Sequence, residues 1–66
     1  MSFFDYRTSA QMGEASFYAL IMAAYRRADS KNAALIQAAW PDVVTEVRER
    51  YNLPGGMYPH EQATHV

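Results

Sequence analysis

AAWPDVVTEVRERYNLPGG, from Ala38 to Gly56, holds a helix start, a helix and a helix stop in one run. Pro41 has no amide hydrogen to donate and pushes Trp40 out of helical geometry. Its fixed φ nevertheless suits the first position of a new helix. Asp42 then falls in the first turn, where the helix dipole favours negative charge. Val43, Val44, Val47 and Tyr51 recur on one side of that helix, and Thr45, Glu46, Arg48, Glu49 and Arg50 on the other. Glu46 precedes Arg50 by four residues, the favourable order for an ion pair along a helix. Asn52 tolerates the left-handed conformation just past a helix end, Leu53 is expected to fold back near Val47, and Pro54 forbids continuation. The spacing predicts a helix over 41–51, with Gly55-Gly56 releasing the chain into an irregular tail.

Working back toward the N-terminus, Asp29-Ser30-Lys31-Asn32 contains good caps and poor helix interior residues. Asp29 or Ser30 is therefore expected to cap a helix over 31–39, whose apolar members are Leu35, Ile36 and Ala39, with Trp40 following. An unbroken helix through this cluster is the alternative. Thr8-Ser9-Ala10-Gln11 has the form of a capping box and predicts a first helix over 9–28. Phe17, Leu20, Ile21, Ala24 and Ala28 make one apolar stripe on it, and Tyr18, Met22 and Tyr25 a second. A helix apolar on two sides is central in its fold or covers its second side with another chain. Gly13 costs about 1 kcal/mol relative to alanine inside a helix, so it marks a close backbone approach or a later helix start. Phe3, Phe4 and Tyr6 form an aromatic arm expected to pack back onto the helices. The fold expected is all-α: a compact three-helix domain over 1–53 with that N-terminal arm, followed by a C-terminal tail over 54–66.

Composition narrows the function classes. At 66 residues without cysteine, neither a disulfide nor a thiolate zinc site supports the fold, so stability must come from apolar burial, self-association or a partner. A formal charge of -1 disfavours a nucleic-acid or anionic-membrane binder. MSFFDY lacks the basic and apolar regions of a signal peptide, and the apolar run Phe17 to Tyr25 is short of the roughly 20 residues that span a bilayer. A cytoplasmic location is expected.

No arrangement with the chemistry of catalysis, cofactor binding or metal binding stands out, and no enzyme activity is expected. His60 and His65 resemble a zinc-binding pair but sit five apart, whereas ligands sharing a helix face sit four apart. Pro54-Gly55-Gly56 lacks the surroundings of a phosphate loop. A helix-turn-helix around Trp40-Pro41 is conceivable, but its exposed face would mix Asp42, Glu46 and Glu49 with Arg48 and Arg50 and offer phosphates no basic stripe. Thr64-His65-Val66 fits the short C-terminal pattern captured at sheet edges. The stronger signal is a surplus of aromatics, since Phe3, Phe4, Tyr6, Tyr18, Tyr25, Trp40, Tyr51 and Tyr58 compete for few interior places. Tyrosine, tryptophan and arginine are the usual interface anchors. Tyr18, Met22, Tyr25, Trp40, Arg48, Tyr51 and Tyr58 are therefore the candidate partner-contacting residues.

The order W-P-D-x-V-x-E-x-x-x-R-Y-N-x-P-G-G over Trp40 to Gly56, preceded by A-x-R-R-A-D-x-x-N ending at Asn32, resembles small proteins of phages and other bacterial mobile elements. The residues that carry the likeness are Trp40, Pro41, Asp42, Arg50, Tyr51, Pro54, Gly55 and Gly56. The resemblance implies a genetic context and a helical fold, and it assigns no catalytic or binding residue. The expected function is a non-enzymatic protein-interaction module, an inhibitor or adaptor acting sterically on a host protein. The alternatives are an obligate homo-oligomer, such as a homodimer joined through Tyr18, Met22 and Tyr25, and a small DNA-binding protein.

Overall fold

The computed structural model describes residues 1–62, and within them the chain is all-α, with no strand. Helices α1 (Phe3–Ala10), α2 (Phe17–Arg27), α3 (Ser30–Ala39) and α4 (Pro41–Tyr51) are followed by a short 3-10 turn, Pro54–Gly56, and a single-turn helix α5 (Pro59–Gln62). Both histidine-pair and C-terminal-motif expectations involve residues outside the described range, since His65 and Thr64 to Val66 lie there.

Local chemistry accounts for the ends of each element. Asp29 caps α3, its carboxylate accepting the Asn32 amide at 2.8 Å. Pro41 opens α4, with Asp42 in its first turn. Between α2 and α3 the backbone of Ala28 is extended (φ -74, ψ 140), so the two helices are separate. Asn52 ends α4 at φ -92, ψ 2, and not in the expected left-handed conformation. Its side-chain amide instead donates to the Arg48 carbonyl at 3.1 Å, satisfying an orphan acceptor of the last turn. The left-handed conformation appears later, at Gly55 (φ 62) and Gly56 (φ 70), where a side chain would be strained.

The N-terminal third differs from expectation. The expected helix over 9–28 is two helices, broken across residues 11–16, and the aromatic arm is itself α1. Ser2, not Thr8, makes the capping box: its hydroxyl accepts the Asp5 amide at 3.2 Å, and Asp5 accepts the Ser2 amide at 2.9 Å. Ser16 caps α2, its hydroxyl accepting the Ala19 amide at 3.1 Å. Nothing lies within 4 Å of a side chain built at Gly13, so that glycine marks the break and not a close approach.

The centre of the fold is α4, against which α2, α3 and the 3-10 turn pack, whereas α2 was expected to be central. Ile21, Met22 and Tyr25 of α2, Ala28 just past its end, and Ala33 and Ile36 of α3 are half-buried around it. The buried side of α2 thus runs between the two expected stripes: Met22 and Tyr25 turn into the fold, while Leu20 and Ala24 are exposed. Val44 is the one fully buried side chain among the described residues, 1% exposed. Burying a valine contributes about 1.5 to 3 kcal/mol, so the interior of this chain is thin.

The expected compactness and the folded-back arm are also corrected. No Cα of α1 comes within 8 Å of another helix, and Phe3 and Tyr6 are 77% and 73% exposed. The radius of gyration is 14.3 Å with extents of 45 × 26 × 16 Å, against about 11 Å for a compact domain of this length.

Candidate interaction site

The candidate contact residues fall into three places. At one end, Phe17 at the start of α2 lies edge-on to Tyr18 (centroids 5.3 Å apart) and to Trp40 (5.9 Å). Trp40 is positioned by Pro41, which holds it between α3 and α4, and Phe17 by the Ser16 cap. Met22 sits half-buried further along α2. This aromatic row fastens the start of α2 to the α3–α4 corner and leaves Tyr18 open to solvent.

At the opposite end of α2, Tyr25, Arg48 and Tyr51 come together in an open groove of about 860 Å³ that also involves Arg26, Ala33 and Val47. The Arg48 Nε donates to the Tyr25 hydroxyl at 3.1 Å, and its guanidinium carbon stands 5.9 Å from the Tyr25 ring centre. Helical spacing explains the rest: Val47 and Tyr51 are four apart and Arg48 and Tyr51 three apart, so all three share one side of α4. Tyr51, expected to help bury α4, is 88% exposed and stands at the lip of the groove. The charged residues at its edge are Arg26 and Arg48, with no carboxylate in the lining. The groove is thus apolar and aromatic with a cationic rim.

Tyr58 belongs to a third arrangement, centred on Arg50. The Arg50 guanidinium donates to both Glu61 oxygens at 2.8 Å, to Glu46 at 3.1 Å and to the Gly56 carbonyl at 2.7 Å. It also lies 4.5 Å from the centre of the Tyr58 ring. Glu61 accepts the Tyr58 amide at 2.9 Å, and the Tyr58 hydroxyl donates to Glu49 at 2.7 Å. The fork geometry of arginine matches the Glu61 carboxylate oxygen for oxygen. Gly55 and Gly56 supply the reversal that lets the chain return to α4. Residues 57–61 of the tail are therefore clasped onto α4, and Pro59–Gln62 form a helical turn where an irregular segment was expected.

The electrostatics follow from that clasp. Hydrogen bonding by Arg50, then by the Tyr58 amide, pulls the Glu61 carboxyl down to about 2. The Glu61 and Glu46 carboxylates push the Arg50 guanidinium further up. The hydrogen bond to Glu49 raises the Tyr58 phenol. Perturbed groups often mark reactive sites, but here each partner is already satisfied by the other in a closed ion pair. His60 stacks on Tyr58, with the rings 5.8 Å apart. Among the described residues no three His, Asp or Glu side chains gather as a metal site would require, and no helix is long and apolar enough to cross a membrane.

Sequence reasoning missed Arg50 as a hub and Glu61 as its partner, because the pairing spans a turn that read as a chain exit. It paired Glu46 with Arg50, which the structure shows at 3.1 Å. Arg26 was also missed as part of the groove; its place on the last turn of α2 follows only once the groove is seen. No protein-family model, curated protein or solved structure matches this chain.

Proposed function

We propose that this chain is a non-enzymatic protein-interaction module that acts sterically, covering a partner's surface with its exposed aromatics. One observation carries the reading: among the described residues a single side chain is fully buried, while Phe3, Phe4, Tyr6, Phe17, Tyr18 and Tyr51 all lie open. Tyrosine and arginine clustered around a concave apolar surface are the usual anchors of a protein interface, and the groove of Tyr25, Arg48 and Tyr51 has that composition. The resemblance of Trp40 to Gly56 to small phage and mobile-element proteins extends the proposal to an inhibitor or adaptor working in the cytoplasm of a bacterial host.

The DNA-binding alternative is less well supported, because Arg50 is engaged by Glu46 and Glu61 and Arg48 by Tyr25. A phosphate-binding surface needs such cations to be available. Affinity capture with the whole chain tests the proposal. The expected result is a stoichiometric protein partner, another protein or the chain itself, that is lost with Tyr51→Asp. A stably folded monomer that captures nothing overturns it.

A further inference from the structure

We infer that the partner is a second copy of this chain, and that α1 of each copy docks in the Tyr25–Arg48–Tyr51 groove of the other. The inference rests on the interaction reading above and names its occupant.

The first argument is area. A compact 7.5 kDa monomer exposes about 4,250 Å², whereas this chain exposes 5740 Å². The excess of about 1,500 Å² falls within the range of about 1,000 to 2,500 Å² that each chain contributes to an obligate interface. A chain this thin in its interior leaves apolar surface to cover, and its own copy is the partner present whenever it is made.

The second argument is the state of α1. Helices shorter than about 12 residues are marginal in water by themselves, and α1 has 8. Among the described residues it packs on no other helix, and the side-chain hydrogen bonds that support it, the Ser2–Asp5 box and the Ser9 hydroxyl to the Tyr6 carbonyl, are its own. Phe3, Tyr6 and Ala10 fall at i, i+3 and i+7, an apolar stripe with no cover. Thr8, on the other side of α1, faces a separate cleft with Leu20 and Arg27. Something must lie against the Phe3–Tyr6 stripe.

The third argument is complementarity. The α1 stripe of Phe3 and Tyr6 is aromatic, and the groove sets Tyr25 and Tyr51 around an apolar floor of Ala33 and Val47. A two-fold axis would set each α1 over the partner's groove. Both contacts form together, and the assembly closes at two copies.

Sedimentation of the full chain from about 1 to 100 µM, a span that brackets micromolar association, is the test. The expected result is a dimer that Tyr6→Asp and Tyr51→Asp each weaken about 30-fold or more, the loss typical of an interface anchor. Both side chains are exposed, so the helical circular dichroism of each variant monitors folding independently. Mixing the two variants should restore part of the association, since the mixed dimer keeps one intact α1 and one intact groove. The chain has no cysteine, so Tyr6→Cys and Tyr51→Cys chains mixed under oxidising conditions should link preferentially to each other. A dimer that survives Tyr51→Asp, or variants that show neither rescue nor mixed linkage, overturns the docking. A monomer that captures a different protein through Tyr51 overturns the second copy and leaves the interaction reading standing. A folded monomer that captures nothing overturns both.

Discussion

The two ends of the chain are held in opposite ways. Residues 57–61 are short and largely polar, yet Arg50 ties them to α4 through Glu61, Gly56 and the face of Tyr58. The α1 helix is longer and rich in aromatics, yet no other described helix packs on its aromatic stripe, and Phe3, Phe4 and Tyr6 stay exposed. Polar groups found their partners within the chain and apolar ones did not. Directional bonds need one well-placed group, whereas apolar burial needs an extended surface, which a chain with one fully buried valine does not have to spare.

The comparison can be broken at its common support first. Val44→Ala removes the one fully buried side chain and should cost about 2 kcal/mol, lowering the melting temperature by about 10 °C for a domain of this size. Both ends should be lost together, as read by calorimetry. Breaking the clasp alone comes next. Arg50→Ala should free residues 57–61 while α2, α3 and α4 persist, with hydrogen exchange at the Glu61 amide, now bonded to the Tyr58 carbonyl, at least tenfold faster. Arg50→Lys keeps the charge but loses the two-pronged geometry, so its exchange rate should fall between the two.

Acid offers a gentler version of the same experiment. The Glu61 carboxyl is held at about 2 in the fold, against about 4.3 for a free glutamate. A group whose folded value is depressed adds stability that is present in full above its unfolded value and fades as pH falls toward the folded one. The clasp should therefore weaken between about pH 4.3 and pH 2, visible as a shift of the Tyr58 amide resonance, and Glu61→Gln should abolish that transition. The smallest effect is expected at the other end. Ser2→Ala removes the α1 cap, a loss of about 1 kcal/mol confined to that helix, seen as faster amide exchange at Asp5 without a change in the melting of α4.

The parts legible in the sequence were those decided by neighbours in the chain. Asp29, Pro41 and Asp42 fixed the start of α3 and α4, because a cap or a missing amide acts within a turn. The start of α2 was equally local, with Ser16 directly before Phe17, but the capping-box pattern at Thr8–Gln11 pointed to an earlier start. The groove and the clasp depend on distance in space. Tyr25 reaches Arg48 across 23 residues and Arg50 reaches Glu61 across 11. No spacing rule pairs such residues until the turn at Gly55-Gly56 and the packing of α2 on α4 are known. The stripe of Tyr18, Met22 and Tyr25 is divided for a related reason, Met22 and Tyr25 turning inward and Tyr18 outward: period alone cannot say which apolar side of a helix faces inward.

The thin interior has a consequence for how this chain changes over generations. Where one side chain is fully buried, most substitutions cost the fold little, and folding alone exerts weak selection on the surface. Aromatics at Phe3, Tyr6 and Tyr51 should drift quickly to polar residues unless a binding surface holds them. In a set of diverged copies, retention at those three positions against a changing background would be a record of the contact they make.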